Sequence, residues 1–316
     1  MRAMLLVNPK ATTTNQRTRD VLIRALGAAV DLTVEETGYR GHAASLAGTA
    51  RAKGFDAVAI LGGDGTVNEA VNGLLNTVNG EARDAEHRPA LIVIPGGSAN
   101  VFARALGLPN DPVEATGAVL EALREDRRRT VSLGQAIWDG ESRYFTFCSG
   151  MGYDAEVVRA VEGLRGTGRK ATPARYVNTA LRHYLTTDKR TPAMMLTGPG
   201  IPSVAGVFMA IISNTSPWTY VGAHPVEPTP WASFDTGLDL LGLQRMGLPS
   251  MLPLIRQILT ERDSLPSGRH LVQLHDEAEF TLTAERPVAF QLDGDYLGER
   301  ESVTFRSTPN ALQVLV

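Results

Sequence analysis

Val58-Ala59-Ile60-Leu61-Gly62-Gly63-Asp64-Gly65-Thr66-Val67-Asn68-Glu69 carries an apolar run straight into three glycines and then into a helical pattern. The apolar run reads as a strand buried on both faces, so strand, glycine turn and helix start follow one another. Glycine lets backbone N–H groups approach an anionic ligand, because no Cβ intervenes. Thr66 is placed at the N-cap of a helix over 66–75, whose free first-turn amides favour a phosphate. Asp64 would repel a bare phosphate, so its presence in the turn points to Mg²⁺ as its partner. The plainer alternative is a tight turn in which Asp64 is only a turn residue.

One βαβ unit later, Ile94-Pro95-Gly96-Gly97-Ser98-Ala99-Asn100-Val101-Phe102-Ala103-Arg104 repeats the arrangement: a strand end, glycines, a hydroxyl residue and a helix. Two such turns at successive strand ends of one parallel sheet would face a common crevice. An ordinary Pro-Gly-Gly loop capped by Ser98 is the alternative.

Outward from these turns, strands are expected over 3–7, 30–35, 57–61 and 90–94, with helices over 15–28, 41–53 and 66–75. Continuous apolar strands separated by helices imply an open α/β domain, with its ligands at the carboxyl ends of the strands. Beyond residue 130 the texture changes. Strands are expected over 130–138, 143–148, 193–196, 207–213, 279–283 and 288–292, with helices only over 155–162, 174–184 and 252–260. The fold class is therefore α/β plus β, the second domain being mainly antiparallel β. The boundaries are 1–130 for the α/β domain and 131–305 for the β-rich domain, with the last strand, 306–316, free to return to the first.

A chain of 316 residues suits two domains, and 43% hydrophobic with 21% charged residues is ordinary globular composition. The single cysteine, Cys148, excludes intramolecular disulfides and a Cys-built zinc site. A net charge of −3 argues against a dedicated nucleic-acid binder. The N-terminal apolar run is too short for a signal peptide, and no window suits a spanning helix. A cytoplasmic protein is expected, with peripheral contact on the inner face of the membrane left open.

Taken together, Gly-Gly-Asp-Gly-Thr-Val-Asn-Glu over 62–69 and Pro-Gly-Gly-Ser-Ala-Asn-Val-Phe-Ala-Arg over 95–104 resemble the diacylglycerol kinase catalytic-domain family, which includes soluble bacterial diacylglycerol kinases and sphingosine kinases. Val7-Asn8-Pro9-Lys10, Glu36-Thr37 with Gly41-His42-Ala43, Gly150-Met151-Gly152-Tyr153-Asp154-Ala155 and Leu292-Asp293-Gly294-Asp295 extend the likeness along almost the whole chain. Departures occur at Ser98, where the family usually has Thr, at Val101, where an acidic residue is usual, and at Asp295, where Glu is usual.

The resemblance implies an ATP- and Mg²⁺-dependent lipid kinase acting on diacylglycerol at a membrane surface. By the same likeness Asn8, Thr37, Gly62, Gly63, Asp64, Gly65, Thr66, Asn68, Glu69, Gly97, Ser98 and Asn100 are the ATP-binding positions. Asp293 and Asp295 match the acidic pair credited with activating the acceptor hydroxyl, and Asp64 joins them as a catalytic residue and metal ligand. Read without the likeness, Asp293-Gly294-Asp295 is a hairpin turn. Asp235, in Phe234-Asp235-Thr236-Gly237-Leu238-Asp239, is the nearest match to a structural Mg²⁺ loop, or else part of a plain turn. Two rival functions stand beside the lipid kinase. A nucleotide kinase resembling the NAD kinases would share Gly-Gly-Asp-Gly-Thr, and a non-catalytic lipid- or nucleotide-binding regulator would keep the fold without turnover.

Several weaker signals remain. Arg159, Arg165, Arg169, Lys170, Arg175 and Arg182 form either a membrane-facing basic stretch or a solvated helix face. Leu252, Leu254, Ile255, Ile258 and Leu259 either pack the core or line a lipid slot. Trp218, Tyr220 and Trp231 lie in a Pro-rich loop suited to a membrane interface. The six histidines show no metal-ligand spacing.

Overall fold

In the computed structural model, which describes residues 1–11, 15–75, 88–166, 194–260 and 264–316, the N-terminal apolar runs are strands β1 (Arg2–Val7), β2 (Asp31–Glu36), β3 (Ala57–Gly62) and β4 (Ala90–Pro95). They pair in the order β4-β3-β1-β2, all parallel. Every residue of β3 and β4 is buried, as strands covered on both faces must be, while edge strand β2 is mostly exposed. The helices are α1 (Gln16–Ala29), α2 (His42–Ala52), α3 (Asp64–Leu75), α4 (Val101–Ala105) and α5 (Pro112–Glu125). Leu22 and Leu26 of α1 and Val119 of α5 share one core cluster with Leu5, Leu61 and Ile92 of the strands.

Helices α2 and α3 cross where a Cβ on Gly73 would overlap the Ala44 carbonyl. Gly73→Ala is therefore expected to destabilise the protein by about 1–3 kcal/mol, the usual scale of overpacking. A urea midpoint equal to that of the parental protein would contradict the crossing.

These elements form one unit, Met1–Val131 with Asn310–Val316; Ser132–Pro309 forms the other. Elements along the rest of the chain are β5 (Arg128–Trp138), β6 (Glu141–Phe145), β7 (Cys148–Gly152), α6 (Tyr153–Gly166), β8 (Met194–Gly198), β9 (Ile201–Val207) and β10 (Met209–Ser213). There follow β11 (Thr219–Val221), β12 (His224–Val226), β13 (Leu238–Leu243), α7 (Leu248–Ile258), β14 (Leu271–Glu277), β15 (Glu279–Leu292) and β16 (Asp295–Leu315). In the second unit the strands run β14-β13-β10-β7-β15-β16, with antiparallel pairing between β14 and β13, β13 and β10, β10 and β7, β7 and β15, and β15 and β16. Phe145, Phe280, Phe290 and Phe305 are fully buried at its centre. In the first unit Val314 pairs in parallel with Leu91 of β4. The architecture is the expected open α/β fold plus a mainly antiparallel β fold.

Several local expectations need correction. The strand expected over 143–148 stops at Phe145 and a new one starts at Cys148, because the amides of 146–148 turn to bond the Asp293 carboxylate. The strand over 207–213 divides between β9 and β10. Helix α5 adds to the expected elements, and Asp111-Pro112 signals it: the Asp111 carboxylate caps the amides of Val113 and Glu114, and proline suits the first helical position. Of the five aliphatic residues at and just past α7, Leu254 is buried and Ile258 partly so, while Leu252, Ile255 and Leu259 are exposed. The helix expected over 174–184 and the basic positions Arg169, Lys170, Arg175 and Arg182 lie outside the described residues, as does the side chain of Arg165. Among the described residues no helix is long and apolar enough to cross a membrane.

Candidate active site

In the first unit the two glycine turns touch backbone to backbone at the carboxyl ends of neighbouring strands. The amide of Gly96 donates to the Gly62 carbonyl at 2.8 Å. A Cβ on Gly96 would stand 2.9 Å from the Gly62 Cα, and one on Gly97 would stand 2.7 Å from the Gly63 Cα. Real side chains do not tolerate such approaches, so these glycines first of all let the two turns meet. Asp64, the first residue of α3, ties them further: its Oδ1 accepts from the Phe102 amide at 3.2 Å.

Thr66 is not the N-cap. The Gly63 carbonyl already accepts from Thr66 and Val67, at 2.9 and 3.1 Å, so the chain enters α3 two residues earlier than expected and Gly65 lies in its first turn. Glycine at 63 permits the sharp entry, and a carboxylate at the first position suits the helix dipole. The Thr66 hydroxyl instead accepts from Asn8 Nδ2 at 2.9 Å, while Asn8 Oδ1 accepts from the Lys10 amide. This joins the end of β1 to the glycine turn. Thr37 extends the ladder past β2, its amide donating to the Val7 carbonyl.

Other expected nucleotide positions brace the turns. Glu69 accepts from the amides of Gly41 and Ala43, at 2.8 and 3.3 Å, and so caps α2, which has no side-chain cap of its own. Asn68 is buried, its carbonyl accepting from Asn72. Asn100, left-handed at φ 50°, closes a ring with Gly97: its Oδ1 accepts from the Gly97 amide and its Nδ2 donates to the Gly97 carbonyl. Ser98, between them, is exposed.

In the second unit Asp293 and Gly294 form the two-residue turn of the β15–β16 hairpin, with φ of 47° and 79° and Leu292 paired to Asp295. Both φ values are positive, as the favoured hairpin turns require. The turn is more than a connection. The Asp293 carboxylate is buried and accepts four bonds, from the Thr146 amide (2.7 Å), the Thr146 hydroxyl (2.8 Å), the Phe147 amide (3.0 Å) and the Cys148 amide (3.1 Å). Burial pushes its pKa up while those donors pull it down. Asp295 is part-exposed, and Arg143 Nη2 of β6 stands 3.7 Å from its Oδ2. No motif or spacing marked Arg143 in the sequence.

Gln291 links this turn to α6. Its Oε1 accepts from the Gly294 amide at 3.0 Å, and its Nε2 donates to Asp154 Oδ2 at 2.9 Å. Burial raises the Asp154 pKa to about 7, against the lowering effect of the Gln291 bond. A carboxyl whose folded pKa is raised lends stability that is complete below its unfolded value, near 4, and is lost as pH rises through about 7. Asp154→Asn is expected to remove that loss and to stabilise the protein by up to about 4 kcal/mol at pH 8, with no such gain near pH 4. Thermal melts at the two pH values check this; a variant that melts lower at pH 8 contradicts it.

Asp235 is exposed in a turn in which the Thr236 hydroxyl donates to the Ser233 carbonyl at 3.1 Å. The buried acid of that segment is Asp239, which bonds His275 Nδ1 and the Asp276 amide; desolvation raises its pKa. Among the described residues, no three His, Cys, Asp or Glu side chains gather as a metal site.

Comparison with known proteins gives a consistent family. The diacylglycerol kinase catalytic domain matches residues 2–136. A probable lipid kinase YegS-like of Chromohalobacter salexigens is 37% identical over 142 residues, covering 45% of this chain and 41% of the relative. A diacylglycerol kinase of Bacillus subtilis is 32% identical over 160 residues, covering 50% of this chain and 48% of the relative. The match thus spans less than half the length of either relative. In fold, the chain is similar to a putative diacylglycerol kinase of Bacillus anthracis, with a TM-score of 0.74, 21% identity, and coverage of 99% of this chain and 96% of that one. An NAD kinase of Archaeoglobus fulgidus, solved in complex with ATP, shares the fold more distantly, with a TM-score of 0.52, 12% identity and coverage of 100% and 94%.

Proposed function

Since residues 2–136 belong to the diacylglycerol kinase catalytic-domain family, we propose that the protein is an ATP-dependent lipid kinase that transfers the γ-phosphate to a lipid hydroxyl, diacylglycerol being the foremost acceptor. The observation that carries this reading is the backbone contact between the two glycine turns, Gly62–Gly63 and Gly96–Gly97. The turns present main chain without Cβ atoms beside the first turn of α3, a surface suited to phosphate oxygens.

The residues also fit Mg²⁺. Asp64 is the carboxylate that would hold it, with phosphate oxygens and water completing the shell, as is usual for this ion. When bound, Mg²⁺ neutralises charge on the transferred group. Asp295 takes the proton of the acceptor hydroxyl as its oxygen bonds the γ-phosphorus and the bond to ADP breaks. Asp293 holds the turn from which Asp295 projects, and Arg143 steadies the Asp295 carboxylate. The Asp235 loop is proposed only as a turn.

The test is a panel of phosphate transfer from labelled ATP to diacylglycerol, sphingosine and NAD. Label entering diacylglycerol is the expected result. Label entering NAD alone would assign the chain to the nucleotide kinases, and ATP binding without transfer to any acceptor would make it a regulator.

A further inference from the structure

Asn214 follows directly on β10, whose last residue, Ser213, pairs with Cys148 at the start of β7. In sequence an asparagine at a strand end is an ordinary turn former. In the second unit it is fully buried, and each of its three N–H donors is used. Its amide donates to the Phe147 carbonyl at 2.9 Å, and its Nδ2 donates to the carbonyls of Thr146 and Ser132, at 2.9 and 3.0 Å. Buried carbonyls need such donors, and those of 146 and 147 lie in the break between β6 and β7, outside either strand.

Two of these bonds meet Asp293 across the same peptide groups. A trans peptide group points its N–H and its C=O in opposite directions. The group joining Thr146 to Phe147 gives its N–H to Asp293 Oδ1 at 3.0 Å and takes the Asn214 Nδ2 donor on its carbonyl. The next group, from Phe147 to Cys148, gives its N–H to the same oxygen at 3.1 Å and takes the Asn214 amide on its carbonyl. Two consecutive peptide groups are thus clamped, with Asp293 on one side and Asn214 on the other. A donor on a peptide carbonyl also polarises that group and strengthens its N–H, so the two grips reinforce each other.

We propose that Asn214 is a positioning residue for phosphoryl transfer: through these two peptide groups it fixes the Asp293 carboxylate, and with it the hairpin turn from which Asp295 projects. The proposal rests on the kinase reading with Asp295 as the base. Asn214 itself has no exposed surface and acts only through the loop. Its Oδ1 is buried without a hydrogen-bond partner, so the contribution of the side chain is that of Nδ2. Alanine at 214 would leave the Thr146 and Ser132 carbonyls without that donor while sparing the main-chain bond to Phe147.

The experiment is steady-state phosphate transfer to diacylglycerol by Asn214→Ala, beside hydrogen exchange followed at single backbone amides. The kcat per folded molecule should fall by about 10–100-fold, the scale of a small misplacement of a reacting group. The KM values for ATP and for the acceptor should stay near parental. Exchange at the amides of Phe147 and Cys148 should quicken by about ten-fold or more, while that of the first unit's strands is unchanged. Should Asn214→Ala fail to fold by circular dichroism, Asn214→Ser is measured in the same way and should show smaller shifts of the same sign. A folded variant that merely melts lower and keeps the parental kcat overturns the proposal. So does a raised acceptor KM at parental kcat, which would place Asn214 in lipid binding, and so does unchanged exchange at 147 and 148. Parental protein that phosphorylates no acceptor would sink the kinase reading instead. Quickened exchange at those two amides in the variant would then leave the clamp on Asp293 standing.

Discussion

Asp295→Asn is expected to lower lipid phosphorylation by roughly 10²–10⁴-fold, the scale for losing a general base, while the melting temperature and ATP affinity stay near parental values. Asp295 is part-exposed, and the ion pair it makes with Arg143 spans 3.7 Å. A part-exposed pair of this kind contributes little to stability. Asp293→Asn should behave differently. Its carboxylate accepts three amide protons and one hydroxyl proton in the interior. An asparagine there offers one oxygen where two were used, leaving buried donors unpaired at about 1–3 kcal/mol each. Its loss of turnover should therefore come together with a lower melting temperature. Measuring both quantities on both variants separates the base from the residue that positions it. Parental rates in both would reduce the motif to a hairpin turn.

Asp64→Asn should remove Mg²⁺-dependent turnover by roughly 10²–10³-fold or more, the scale seen when electrostatic stabilisation of a reacting group is lost. The fold should survive, because the asparagine oxygen can still accept from the Phe102 amide as Asp64 Oδ1 does. Turnover measured against rising Mg²⁺, beside a thermal melt, tests this. A variant with parental Mg²⁺ dependence would show Asp64 to be only a brace between α3 and α4. Glycine substitutions are less clean probes. A Cβ on Gly63 would stand 3.1 Å from the Gly97 Cα, so Gly63→Val disturbs the contact between turns as well as any ligand surface.

The misread elements have a common cause. Helix α3 begins two residues before the expected start because the Gly63 carbonyl accepts the first helical bonds, although a hydroxyl residue after a glycine turn has the pattern of a cap. The break between β6 and β7 was invisible because the acceptor for the 146–148 amides is Asp293, on a strand far along the chain. The cap that Glu69, an expected nucleotide position, places on a neighbouring helix is likewise absent from its motif, because the amides it accepts from belong to Gly41 and Ala43. Of the aliphatic residues at and just past α7, Leu254 and Ile258 pack into the core while Leu252, Ile255 and Leu259 are exposed, a division that apolar composition does not show.

What the sequence determined alone was local. Buried apolar runs placed β1, β3 and β4, because a strand covered on both faces has no room for polar side chains. Glycine and Asp-Gly placed the turns, because positive φ and close main-chain approach exclude most other residues. Tertiary structure alone decided which turns touch, which amides converge on Asp293, that Arg143 stands beside Asp295, and that Leu252, Ile255 and Leu259 face outward. Each of these depends on the register and packing of segments distant in the chain, and no local backbone preference encodes that register.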